Sequence, residues 1–202
     1  MPLRHCGLAL ALLLLAGCAG LPEAPQDSAT VQSAWALRQQ QLGAVQGFEA
    51  NGRVAVKGGG LSGALRWEQE GETFKLRIAG PFGAGALSMQ GTPALVAIKG
   101  KDIDLVTNMP QQVLAERTGW RLPLDALRWW VLGLPAPAPA AEASITLDAE
   151  GRALQMQQGD WLLRYSDYRR ESDAAPELPA RIEAVQGEWM ATVVLEAIQL
   201  KP

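Results

Sequence analysis

From Gly52 onward the chain repeats one pattern, an apolar residue at every second position over short segments separated by turns rich in glycine. No other feature restricts its folding as much. Val54 and Val56 alternate with Arg53 and Lys57, Leu65 and Trp67 with Arg66 and Glu68, and Phe74, Leu76 and Ile78 with Lys75 and Arg77. Leu87 and Met89 continue the series, followed by runs near Leu95 to Lys99 and Ile103 to Val106. Strands written this way bury one face and wet the other, so six of them joined by short turns form an antiparallel meander. Alternation resumes at Ile145 and Leu147, at Leu154 and Met156, and at Trp161, Leu163 and Tyr165, and a last hairpin pairs Arg181 to Gln186 with Trp189 to Leu200 across Gly187. The total is about eleven strands, and twist accumulated over that many curls a sheet on itself. The expected fold class is mainly β (α+β), an incomplete antiparallel barrel.

Helical periodicity interrupts the strands in three places. Thr30 to Gln46 puts Val31, Trp35, Leu42 and Val45 on one side of an amphipathic helix ended by Gly47. Pro110 breaks the strand period, and Gln111 to Gly119 reads as a short helix. A further helix starts at Pro123, carries Leu124, Leu127, Val131 and Leu134 on one side, and stops near Gly133. Pro135, Pro137 and Pro139 then form a stiff extended connector. The apolar faces of the two central helices must be buried, and the hollow of the curled sheet is the place available, so they form a lid. The inward set expected around that space is Val54, Val56, Leu65, Trp67, Leu76, Ile78, Leu87 and Met89 from the strands, with Leu127, Trp130 and Val131 from the lid. Composition alone does not decide between a filled core and a cavity.

Several function classes are excluded by residue inventory. Basic residues number 18 against 21 acidic, for a net charge of −3, and no basic run supplies the phosphate-neutralising stripe that nucleic acid requires. Near the N-terminus, Arg4 precedes the apolar run Leu8 to Ala16, long enough for a signal h-region and too short for a membrane span. Residues 1–17 therefore read as an export signal, and Leu15-Ala16-Gly17-Cys18 resembles the lipobox of bacterial lipoproteins, in which the Cys is acylated after cleavage. Residues 18–29, with Gly20, Pro22 and Pro25, read as a tether, and 30–202 as a single domain. Removing residues 1–17 takes away His5, the sole histidine, and Cys6, one of the two cysteines. With Cys18 acylated, neither an imidazole nor a free thiol remains, which excludes Ser-His-Asp and Cys-His nucleophiles and histidine-based metal sites. Ser62 follows Leu61 and precedes Gly63, which is no GxSxG elbow. Glu68 with Glu70, and Asp102 with Asp104, fall two apart on strands and share one solvated face. The expectation is a protein without catalysis, cofactor or metal.

Trp35 with Arg38, Gly52-Arg53, Arg66-Trp67, Gly80-Pro81-Phe82-Gly83, Gly119-Trp120-Arg121-Leu122-Pro123-Leu124 and Leu127-Arg128-Trp129-Trp130-Val131-Leu132-Gly133-Leu134-Pro135 occur in an order and spacing that resemble the LolB family of outer-membrane lipoproteins. The resemblance covers nearly the whole chain from Cys18. It implies an apolar cavity that holds the acyl chains of lipoproteins handed over by the periplasmic carrier LolA, and their insertion into the inner leaflet of the outer membrane without ATP. It also implies a monomer anchored by Cys18 and facing the periplasm, with Ala19 after the lipidated residue consistent with that destination. The Pro81-Phe82-Gly83 turn matches the family's protruding loop, which offers an apolar residue to the membrane; Phe82 stands where Leu is common. The alternatives are a soluble carrier of LolA type, an envelope-assembly or structural lipoprotein without acyl-chain transfer, and a lipid-modifying hydrolase. The lipobox disfavours the first, and the missing histidine disfavours the last.

Overall fold

A computed structural model describes residues 28–57, 62–119, 123–172 and 175–201. The expected signal segment, Cys18, the tether up to residue 27, the turn after Lys57 and Trp120 to Leu122 lie outside these described residues, while Ser28 and Ala29, expected to end the tether, belong to the start of the first helix. Helix α1 (Ala29–Gly43) leads into β1 (Gly47–Lys57), β2 (Ser62–Glu70) and β3 (Thr73–Ala79). A 3₁₀ turn at Pro81–Gly83 precedes β4 (Leu87–Thr92), β5 (Leu95–Gly100) and β6 (Ile103–Thr107). Helices α2 (Pro110–Thr118) and α3 (Leu124–Trp130) follow, then β7 (Ala143–Leu147), β8 (Ala153–Gln158), β9 (Trp161–Arg169), β10 (Leu178–Gln186) and β11 (Trp189–Lys201).

All of these strands join one antiparallel sheet in the order β6-β5-β4-β3-β2-β1-β11-β10-β9-β8-β7. It is therefore two meanders sewn together by the β1–β11 pair, which runs from Gly47↔Lys201 to Lys57↔Met190. Strands β6 and β7 form the free edges, so the barrel stays open, and α2 and α3 occupy the crossover between them. On β2 and β3 burial alternates residue by residue, with Leu65, Trp67, Phe74, Leu76 and Ile78 inside and Arg66, Glu68, Lys75 and Arg77 outside. A slip of one residue would expose all five apolar side chains, at ~1.5–3 kcal/mol each, so the pattern fixes the register. Gly52 sits at a register shift between β1 and β11. A Cβ there would come 2.2 Å from the Val194 carbonyl oxygen, so the strands approach this closely only because the residue is glycine.

Three local expectations are corrected. Helix α1 ends at Gly43 rather than near Gln46, and Gly47 opens β1 instead of closing the helix. The chain begins the helix at Ser28, whose Oγ accepts the Val31 N–H at 3.2 Å. The proline connector is not extended throughout, because it turns at Pro137, where the carbonyl accepts the Ala140 N–H at 3.1 Å. Leu154 points outward and is exposed, since a bulge after Thr146 sets Leu147 opposite Ala153 and Thr146 opposite Gln155, with Ala153 taking the inner position.

Helix α1 is seated by Val31, Trp35 and Leu42 and by a buried cation that the helical pattern had not placed in the core. Arg38 donates to the Glu177 carbonyl and lies 5.2 Å from the centre of the Tyr168 ring, with Arg152 at 5.0 Å from the same ring. Arg152 is held by Asp148 and Glu177, each at 2.7 Å. Burial lowers the Arg38 pKa from its ordinary value and raises that of the Tyr168 hydroxyl, so the stack is a cation, a neutral ring and a cation balanced by two carboxylates. The cluster ties α1 to β9 and to the β7–β8 turn. There Gly151 leaves no room for a Cβ, which would lie 2.8 Å from the Trp35 nitrogen.

Candidate functional site

The concave side of the sheet and the lid enclose an apolar cavity. Nine of the expected eleven side chains reach its wall: Val54, Val56, Leu65, Trp67, Leu76 and Ile78, whose inward position follows from strand alternation, and Leu127, Trp130 and Val131 from the lid. Of these Leu127 is only partly buried. Leu87 and Met89 are buried but lie farther along the sheet, in the core between β3 and β5, and do not line the cavity. The opposite wall comes from the second meander, through Trp161, Leu163, Ile182, Ala184, Trp189, Ala191 and Val193, with Pro123 at the lid. Sequence reasoning had found the alternation of Trp161 and Leu163 without assigning it to the cavity. The signal was present, but pairing β1 with the distant β11 is what brings the two walls face to face.

Every described side chain around the cavity is apolar. Its volume is about 90 Å³, smaller than the ~150 Å³ engineered cavity that accepts benzene. An acyl chain does not fit into that space, so occupation requires the lid or the wall to move. Across the cavity three indoles form a chain, Trp130 at 5.6 Å from Trp161 and Trp161 at 5.1 Å from Trp189 in edge-to-face contact.

Two glutamines missed by the sequence analysis organise the polar edge of this site. Gln158, buried on β8, accepts the Trp130 Nε1–H at 2.8 Å and the Ala136 N–H at 3.0 Å, and donates to the carbonyls of Ala136 and Ala141, both at 2.8 Å. Gln69, buried on β2, accepts the Trp67 Nε1–H at 3.0 Å and donates to the Gly71 carbonyl at 2.8 Å. The same Gly71 carbonyl receives Arg128 of α3 at 2.6 Å. Each glutamine satisfies the one polar atom of a cavity tryptophan and leaves its ring face apolar. An inward glutamine on a strand breaks the period-two rule, and that break was the available signal.

The Pro81–Gly83 turn projects from the end of β3. Phe82 is fully exposed, with φ +57°, in the left-handed region that non-glycine residues seldom adopt. Nothing in the described structure covers it. The candidate carboxylate pairs stay on the outer surface as expected, with Glu68 ion-paired to Lys75 at 3.2 Å and Asp104 to Lys99 at 3.7 Å.

An open antiparallel half-barrel with a helical lid over an apolar hollow defines a class, and solved structures share the overall fold. A LolA superfamily protein from Nitrosomonas europaea superposes with a TM-score of 0.53 at 9% identity, over 87% of this chain and 95% of that one. A DUF1329 family protein from Desulfovibrio piger gives 0.51 at 9% identity, over 86% and 94%. Sequence comparison narrows the class. The family described as outer membrane lipoprotein LolB matches residues 46–199. Proteins named outer-membrane lipoprotein LolB from Nitrosococcus oceani and Pseudomonas putida are each 35% identical to this chain, over 98% of it and 100% of the first, and over 97% of it and 96% of the second. The chain belongs to the LolB family of outer-membrane lipoproteins.

Proposed function

We propose that this protein accepts lipoproteins from the periplasmic carrier LolA, holds their acyl chains in the cavity, and releases them into the inner leaflet of the outer membrane, where its own acylated Cys18 anchors it. The observation that carries this reading is the cavity, apolar on every described side and roofed by a lid. Burying an acyl chain is worth ~0.8 kcal/mol per CH₂, so an apolar hollow can take the cargo from a carrier and the bilayer can take it onward down a free-energy gradient without a nucleotide. Phe82 offers the contact with the bilayer, an aromatic ring at the tip of a turn that no core side chain covers. The protein works by binding rather than by catalysis.

The experiment is a transfer assay with the secreted chain carrying Cys18→Ser, which separates anchoring from acceptance. Trp130→Asp or Leu65→Asp, each placing a carboxylate in the apolar wall, should reduce binding of a fluorescent acyl probe at least tenfold, while the outward Arg66→Ala leaves it unchanged. Equal losses for Leu65→Asp and Arg66→Ala would refute the reading. Phe82→Glu should leave acceptance from the carrier intact and depress recovery of cargo in liposomes.

A further inference from the structure

The outer face of β1 to β3 divides its charges by position. Arg66 lies directly opposite Arg77 in the β2–β3 register, one row from Arg53, which faces Ala64, itself facing Ala79. Lys57 closes the same end of β1. All four side chains are exposed, and β1 to β3 contribute no carboxylate to this end of the face. At the other end of the same strands stand Glu49, Glu68 and Glu70, with Glu49 opposite Glu68, and the cations there are ion-paired, Lys75 to Glu68 at 3.2 Å and Lys201 of β11 to Glu49 at 2.6 Å. Like charges directly across a pair of strands repel, so Arg66 beside Arg77 costs stability. Among the described residues neither has a carboxylate partner, whereas Arg53 meets Glu196 at 3.1 Å. In a chain of net charge −3 this clustering of cations runs against the overall balance.

The cationic end is the end from which the Pro81–Gly83 turn projects. An open groove of about 650 Å³ runs beneath that turn, floored by small residues (Ala55, Gly63, Ala64 and Ala79) and rimmed by Arg53 and Phe82. A fully exposed aromatic ring at the same end of the sheet as the unpaired Arg66 and Arg77, above a shallow trough rimmed by the ion-paired Arg53, matches the chemistry of a bilayer surface: hydrocarbon for the ring, phosphate for the guanidinium groups. We infer that Arg66, Arg77, Arg53 and Lys57 form a docking face for anionic phospholipid, which orients the protein with the Phe82 turn toward the membrane and the Glu49-Glu68-Glu70 end away from it. This extends the membrane reading of Phe82 above, but it depends on headgroup charge, not on cargo or on insertion of the ring.

The test uses the secreted chain carrying Cys18→Ser, so that the lipid anchor does not mask surface binding, and measures its sedimentation with vesicles of phosphatidylcholine alone or with phosphatidylglycerol. The parent should bind anionic vesicles at least a hundredfold more tightly than neutral ones, and lose that preference at high salt. Arg66→Ala with Arg77→Ala should weaken anionic binding about twenty-five-fold, about fivefold for each cation, without affecting neutral vesicles or the acyl probe. Glu68→Gln should not weaken it. Failure of the Phe82 reading has a different signature, because the uncharged Phe82→Ser would then bind anionic vesicles as the parent does while the double arginine variant still loses affinity. A parent without preference for anionic vesicles overturns the inference, as does a double variant that binds them normally. A double variant that binds vesicles normally but takes less cargo from LolA would assign the face to the carrier instead.

Discussion

At the C-terminal end of the lid helix α3, Trp130 and Arg128 are fixed from two sides by directional bonds, to Gln158 on β8 and to the Gly71 and Val45 carbonyls. Its N-terminal end is held differently. Pro123 caps the first turn with no side-chain hydrogen bond, Leu124 and Ala126 are buried among apolar neighbours, and the polar link to α2 is an exposed bond from Gln111 to Asp125 at 3.2 Å. The difference follows from what each kind of contact tolerates. A hydrogen bond into buried backbone is lost when the helix shifts by an ångström or two, whereas an apolar contact can be exchanged for another apolar surface with little loss. Under the proposed function, acyl chains entering a cavity of only about 90 Å³ would displace the lid where that exchange is possible. The lid should therefore open from its N-terminal end, with the Trp130–Ala136 region as the hinge.

The largest expected effect comes from removing the hinge. Gln158→Leu fills the same space but leaves the Trp130 Nε1–H and both backbone groups of Ala136 without partners in a buried setting, at ~1–3 kcal/mol for each unsatisfied group. Urea denaturation should show roughly 4 kcal/mol of lost stability. A loss below about 1 kcal/mol would mean that this end is no more firmly held than the other.

Arg128→Met comes next, because Met retains the apolar stem beside Trp129 but gives up the bonds to Gly71 and Val45. The bonds are part-buried and charge-assisted, so the expected destabilisation is about 1–2 kcal/mol. Uptake of a fluorescent acyl probe, followed by stopped flow, should quicken severalfold as the lid gains freedom on its second side. Unchanged kinetics would show that the Arg128 bonds do not restrain the lid.

The comparison also marks where sequence reading stops. Strand number, the two meanders and the inward set on β1 to β3 were legible because alternation is a local property, and every buried residue of β2 and β3 announces itself two positions from the next. Leu87 and Met89 obey the same alternation yet miss the cavity. Alternation tells which face a side chain takes, while distance from the lid depends on sheet curvature, which no local pattern encodes. Gln158 and Arg38 could be noticed as residues but not as anchors, for the opposite reason. The role of an inward polar residue is readable only with the partner that satisfies it, and those partners lie 28 residues away for Gln158 and 139 for Arg38, whereas Gln69, whose partners Trp67 and Gly71 are two residues away, was open to local reading and was missed. The apolar wall was therefore largely readable and its polar anchoring was not. Helix α1 was misjudged by three residues at its end because Val45 continues the apolar stripe, although its carbonyl belongs to the lid's contacts rather than to the helix.

At the free end of the lid a substitution should do little to stability. Asp125→Ala removes the exposed bond to Gln111, and exposed polar pairs are worth between zero and about 1 kcal/mol. Asp125 also stands in the first turn of α3, where a carboxylate favours the helix dipole by about 0.3–1 kcal/mol. The two contributions together keep the expected change in urea stability near 1 kcal/mol or less, and acyl-probe uptake should stay within about twofold of the parent. The informative quantity is the ratio of the two kinetic effects. If the lid swings from its N-terminal end, Arg128→Met accelerates uptake more than Asp125→Ala does, since the bond near the pivot restrains the whole helix and the exposed bond moves with α2. If Asp125→Ala accelerates uptake as much as Arg128→Met, the exposed link is itself a restraint, and the lid opens by separating α3 from α2 rather than by carrying α2 along.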